Sequence, residues 1–325
     1  MAAFARFLLA STLACAASAA VAQSAPPYPV KPVRMIVGFP PGQATDIVAR
    51  AVAQKLTDNL GQSFYVDNRP GAAGIIGTEA AIKAGGDGYT VLMSSSGPLA
   101  VNPSLYSKLP YDPLKDLAPI SLVATVPLFL VAHPSLPANN VPELVALAKS
   151  KPGQINYASG GSGVTNHLVM EMFKSATGSN LTHVPYKGGP PALTDLIAGQ
   201  VSVMFETGPG ALPHVRSGKL KALAAGGLKR SVAMPDLATV AEQGVPGFDG
   251  VAWIGFVAPA GTPKPIIDRL HAETVRILAL PEVRDRFVSQ GAEPVGSTPE
   301  EFGAYIKAEI AKWGKVVKES GAKVD

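Results

Sequence analysis

The sequence predicts an α/β fold of two lobes, each a mixed sheet flanked by helices, on three observations. Short apolar runs bounded by turn residues alternate with segments whose apolar residues recur every three or four positions. Two long apolar stretches punctuated by proline, 120–133 and 251–259, lie where a chain could cross from one lobe to another and back. The 325 residues suffice for about two domains of ~150 residues each.

The elements follow in order. Residues 1–22 read as an export signal: one charge at Arg6, an apolar run from Phe7 to Ala17, and small residues ending Ala20-Val21-Ala22 before Gln23. Cleavage after Ala22 and a periplasmic location are expected. A lipoprotein reading at Leu13-Ala14-Cys15 is opposed by Thr12, which stands where a large aliphatic residue belongs. After a proline-rich lead, Val33 to Phe39 reads as a buried strand, and Ile47 to Leu60 carries apolar residues at 47, 48, 51, 52, 56 and 60, one face of a helix. Strand Phe64 to Asp67, helix Ile75 to Ala84 and strand Thr90 to Ser94 continue the alternation, which returns as strand Asn156 to Ser159 and helix Thr165 to Ala176. Near the end, Thr298-Pro299-Glu300-Glu301 is a capping box, and Phe302, Tyr305, Ile306, Ile310 and Trp313 share the face of the helix it starts. If both proline-punctuated stretches join the same lobes, residues 26–124 with 252–325 form one and residues 125–251 the other, with a cleft between them.

Composition narrows the function. Hydrophobic residues make up 47% and charged residues 16%, which excludes a disordered chain. The net charge of +4 is spread without a basic run, so no nucleic-acid partner is expected. Cys15 is the single cysteine, which excludes disulfide frameworks and multi-cysteine metal sites. No phosphate-binding loop occurs, and Gly161-Ser162-Gly163-Val164-Thr165-Asn166 ends in asparagine where a dinucleotide fingerprint needs glycine. The five histidines have no metal-ligand spacing, so neither cofactor nor metal is expected. A hydrolase would need an unmarked pairing of Ser162 with His167, because Ser162 lacks the glycines of a nucleophile elbow.

Two glycine-rich turns remain, each between a strand and a helix start. One is Phe39-Pro40-Pro41-Gly42-Gln43-Ala44-Thr45-Asp46, and the other Ser159-Gly160-Gly161-Ser162-Gly163-Val164-Thr165. Their backbone N–H groups at the positive end of a helix could hold a carboxylate without a basic side chain. Alternatively the glycines only make tight turns, with Thr45 or Asp46 and Thr165 as helix caps. Tyr186 and Lys187 could offer a phenol and an ammonium to the cleft, or Lys187 is a solvated turn residue. Glu206 could meet an amine or a water, or serve a structural hydrogen bond. His167 is a ligand group or a packed histidine on an apolar helix face, and Ser94, Ser95 and Ser96 supply hydroxyls or form a turn.

At these residues the chain resembles the tripartite tricarboxylate transporter substrate-binding family, the Bug-type periplasmic receptors. The resemblance rests on Phe39-Pro40-Pro41-Gly42 with Ala44-Thr45-Asp46, Asn68-Arg69-Pro70-Gly71-Ala72, Gly85-Gly86-Asp87-Gly88-Tyr89-Thr90, His183-Val184-Pro185-Tyr186-Lys187-Gly188 and Ala258-Pro259-Ala260-Gly261-Thr262-Pro263. It implies a type II periplasmic-binding fold that closes over a small carboxylate and delivers it to a membrane permease; a monomer is expected. It also implies that the Phe39–Asp46 loop, the Ser159–Thr165 loop and the Tyr186 region line the pocket. Two departures stand out: Gln43 replaces a second glycine common in the family, and Glu206 stands near a position where aspartate is frequent. The rival to a permease partner is a membrane sensor.

Overall fold

Strand and helix alternate from the first element of the computed structural model, which describes residues 28–289 and 291–322. The export signal and Cys15 lie outside these residues. β1 (Val33–Val37) leads to α1 (Ala44–Leu60), β2 (Phe64–Asn68), α2 (Ile75–Lys83) and β3 (Thr90–Ser95). A π-turn at Gly97–Val101 and short α3 (Asn102–Leu105) precede the long β4 (Leu117–Ala132). There follow α4 (Val141–Ser150), β5 (Asn156–Ser159), α5 (Thr165–Thr177), β6 (Thr182–Pro185), α6 (Gly189–Ile197), β7 (Val203–Thr207), α7 (Gly208–Arg216) and β8 (Lys221–Ala225). The chain ends through β9 (Val251–Pro259), α8 (Lys264–Leu278), α9 (Pro281–Ser289), β10 (Glu293–Pro294) and α10 (Pro299–Ser320). Each expected strand and helix forms, with ends that coincide or shift by at most three residues.

The strands run β2-β1-β3-β9-β4-β7-β5-β6, with β10 and β8 also paired to β4. At one end β2, β1 and β3 are parallel, and β9 closes on β3 antiparallel. At the other, β6, β5 and β7 are parallel. β4 belongs to both ends, pairing with β9 from Leu117 to Pro127 and with β7 from Leu128 to Ala132. The two proline-punctuated stretches are therefore strands in their own right, antiparallel to one another, rather than bare crossings. Proline is tolerated because of where it falls. Pro119 sits at a register shift, and Pro127 is the last residue paired with β9 before β7 takes over, so neither missing N–H breaks a continuous ladder.

Packing ties the C-terminal helix to this frame. Trp253 of β9 and Trp313 of α10, both fully buried, donate their indole N–H groups to one Glu309 carboxylate oxygen at 2.9 Å each. Lys312 closes on the other oxygen at 2.6 Å, so the buried charge is paired. Phe302 lies across β9 so closely that a Cβ on Gly255 would sit 2.1 Å from its ring. The Thr298 capping box forms as the sequence indicates, with the Glu301 N–H given to Thr298 Oγ1 and the Thr298 N–H given to Glu301.

Candidate functional site

The first glycine loop leaves the carboxyl end of β1 and starts α1. Gly42 adopts φ 85°, a conformation that side-chain-bearing residues rarely take, and its N–H points back to Asp46 Oδ2 at 2.9 Å. Asp46 is buried and also accepts from Arg50 and from the Asn68 amide at 2.9 Å. Asn68 in turn donates to Phe39 O at 3.0 Å, so the end of β2 holds the loop in place. Burial raises the Asp46 carboxyl, but the bonds from Arg50, Gly42 and Asn68 outweigh it and keep the group below its ordinary value. Neither Thr45 nor Asp46 is the helix cap. That position belongs to exposed Gln43, whose side chain makes no capping bond.

The second loop, after β5, repeats the plan. Gly163 has φ 80° and donates to His167 Nδ1 at 3.0 Å. Val164, not Thr165, occupies the cap and supplies no side-chain bond. Ser159 Oγ takes the Gly161 N–H, gives its proton to Gly161 O and lies 2.6 Å from His183 Nε2. Ser162 is exposed and, among the described residues, makes no hydrogen bond with His167, whose Nδ1 is already engaged by Gly163.

These bonds engage the N–H groups of Gly42 and Gly163 themselves. The free donors lie one step further on. Among the described residues, the N–H groups of Ala44, Thr45 and Asp46, and of Thr165, Asn166 and His167, have no acceptor, as the first turn of an uncapped helix requires.

Other candidates gather around these turns through glycine contacts. Ser96 is buried at the end of β3 with an Oγ that has no hydrogen-bond partner among the described residues, and its neighbour Pro98 packs with the half-buried Phe39 against Gly74. Ser94 is buried within β3 itself. Gly160 approaches the Gly188–Gly189 backbone, and Gly161 approaches Tyr186 O. Buried Glu206 lies between Gly189, at the start of α6, and Gly210, in the first turn of α7. One of its oxygens accepts the Thr207 N–H and hydroxyl at 2.7 and 2.8 Å; burial pushes its carboxyl up in spite of these bonds. Pro209 of α7 meets Ala44, Ile47 and Val48 of α1 in a small apolar crevice with Phe287 and Ala292, which brings the two ends of the sheet together beside the first loop.

Two candidates are drawn elsewhere. The Tyr186 hydroxyl donates to Asp195 of α6 at 2.7 Å, and burial with that bond raises the phenol to about 12. Lys187 is exposed and enters none of these contacts, as do exposed Pro41 and Gln43. What sequence reasoning missed are the clamps: Arg50 and Asn68 on Asp46, and Tyr157, His183 and Glu171 around His167. The spacings Asp46–Arg50 and His167–Glu171, four residues apart on a helix, were the available signal. Among the described residues no three His, Cys, Asp or Glu side chains converge as metal ligands would, and no helix is long and apolar enough to cross a membrane.

Parallel strands at both ends of a shared sheet, each delivering a glycine turn to an uncapped helix, define the two-lobed type II periplasmic solute-binding class. The family described as "Tripartite tricarboxylate transporter family receptor" matches residues 48–322, and the chain belongs to it. Protein BugT of Bordetella pertussis is 44% identical over 302 residues, covering 93% of each chain. Among solved structures, Rpa4515 of R. palustris with adipate superposes with a TM-score of 0.82 at 36% identity, over 91% of this chain and all of that one. MatC (Rpa3494) of Rhodopseudomonas palustris with bound malate gives 0.77 at 33% identity, over 89% of this chain and 100% of its own.

Proposed function

We propose that this protein is a periplasmic receptor that captures a small dicarboxylate between two lobes and hands it to a tripartite tricarboxylate-type membrane transporter. The lobes are residues 26–124 with 252–325, and residues 125–251. The observation that carries the reading is the set of acceptor-free N–H groups at the starts of α1 and α5, with the orphaned Ser96 hydroxyl near the first. Each such N–H given to a carboxylate contributes about 1.5–3 kcal/mol. The adipate and malate held by similar proteins support a ligand with a carboxylate for each loop. Residues 1–22 support export, and the chain needs no catalysis for this role. Clamped glycine turns keep the donors in position before ligand arrives, which limits the ordering cost of binding.

Calorimetry on a diacid such as adipate and on its monomethyl ester tests the mechanism. The ester loses one charge and gains bulk, so its affinity falls by at least about tenfold, or ~1.4 kcal/mol. Equal affinities would sink the reading. Mass spectrometry of the receptor as purified, carrying its own ligand, identifies the acid.

A further inference from the structure

The two glycine loops are built alike and clamped by different chemistry. In both, a glycine of positive φ gives its N–H to the side chain four residues on, in the first turn of the following helix. In the first loop the acceptor is the Asp46 carboxylate, which remains an acceptor throughout the neutral and mildly acidic range. In the second it is His167 Nδ1, which accepts only while the ring is neutral with its proton on Nε2. His167 lies face to face with His183, centroids 4.1 Å apart, and His183 stacks on Tyr157 at 4.7 Å. His183 Nε2 lies 2.6 Å from Ser159 Oγ, which also bonds the Gly161 backbone. One imidazole therefore holds each end of the loop.

We propose that His167 is a positioning residue for carboxylate capture, holding the second loop through Gly163 only while uncharged, so that acidification releases the loop and the ligand with it. The inference rests on the receptor reading for its ligand and on this side-chain geometry for its switch. Protonation would place an N–H at Nδ1 against the Gly163 N–H, and a cation 4.1 Å from a second imidazole. The surrounding charges do little to offset this. From α5, Glu171 stands 4.0 Å from His167 Nε2, but the oxygen that faces the ring already accepts Lys174 at 2.7 Å and the Tyr157 hydroxyl of β5. From α10, Glu319 accepts the Ser175 hydroxyl, and from β7, Glu206 accepts from Thr207. Burial accordingly lowers His167, and burial with the neighbouring imidazole lowers His183 to about 4.

Nuclear magnetic resonance on the ligand-free, isotope-labelled protein reads the clamp directly between about pH 8 and pH 4, across the range where histidine titrates. The Gly163 amide proton should lose its hydrogen-bonded shift with the same midpoint as the His167 ring, below the ordinary value of 6.5. An amide that is indifferent to that titration overturns the proposal. Adipate calorimetry at about pH 7.5 and pH 4.5 compares wild type with His167→Asn, whose Oδ1 falls near the place of Nδ1 and cannot titrate. The ligand's own carboxylates titrate over the same range, so the quantity read is the acid-induced loss in wild type relative to the loss in the variant. Wild type should lose at least about fivefold more, and equal losses overturn the proposal. His167→Leu, which offers no acceptor, should bind more weakly than His167→Asn at neutral pH. If no carboxylate binds at any pH, the receptor reading fails while the Gly163 resonance still judges the clamp.

Discussion

Asp46 and His183 show how single side chains brace the two glycine loops. Asp46 sends both oxygens inward to Gly42, Arg50 and Asn68, so Asp46→Ala strands three donors around a buried position. Unfolding in urea should show a loss of about 2–4 kcal/mol. His183 links stability to pH. Its folded value of about 4 lies below the ordinary 6.5, so between these values the unfolded chain binds more protons than the folded one. Its contribution is present above about pH 6.5 and is lost as pH falls toward 4, a change of the order of 2–3 kcal/mol. His183→Gln should flatten the fall in melting temperature across that window, and an unchanged slope would refute the assignment. None of this was legible from Asp46 or His167 alone, because a carboxylate or imidazole near a helix start reads equally well as a cap. Its partners, Asn68 and His183, arrive from strands distant in sequence.

Among the elements, α10 was the most legible and β4 the least. A capping box and a one-sided apolar face are local signals, and α10 begins where they place it. β4 and β9 were misread as bare crossings because proline argues against a central strand, and only the sheet reveals that Pro119 and Pro127 fall where the ladder is already interrupted. The contact between β9 and α10 separates two glycines that look alike in sequence. Gly255→Ala drives a methyl into the Phe302 ring and should destabilise the protein by about 1–3 kcal/mol in chemical denaturation. Gly303→Ala, on α10, meets Pro119 only at 3.4 Å and gains helix propensity, so it should be neutral or stabilising by up to ~1 kcal/mol.

At the scale of the whole molecule, the alternating pattern conveyed an α/β fold with two parallel centres, while the register that unites them through β4 depends on pairings 71 to 142 residues apart. A receptor whose ligand contacts both lobes is driven toward closure by that ligand's differential affinity for the closed form. Solution scattering should record a smaller radius of gyration at saturating diacid, and an unchanged profile alongside tight binding would refute closure.

The pairing of β4 with β9 also means that the chain enters and leaves residues 128–250 through one doorway, since Val126 and Ala252 are partners in the same antiparallel register. Partners in such a ladder stand about 4.5–5.5 Å apart at Cα, inside the span a disulfide can bridge. If export removes Cys15, cysteines introduced at 126 and 252 have no thiol but each other with which to pair. That staple would turn more than a hundred residues of the unfolded chain into a ring, worth roughly 4–5 kcal/mol by chain entropy, while leaving the strands on either side of the doorway free to twist.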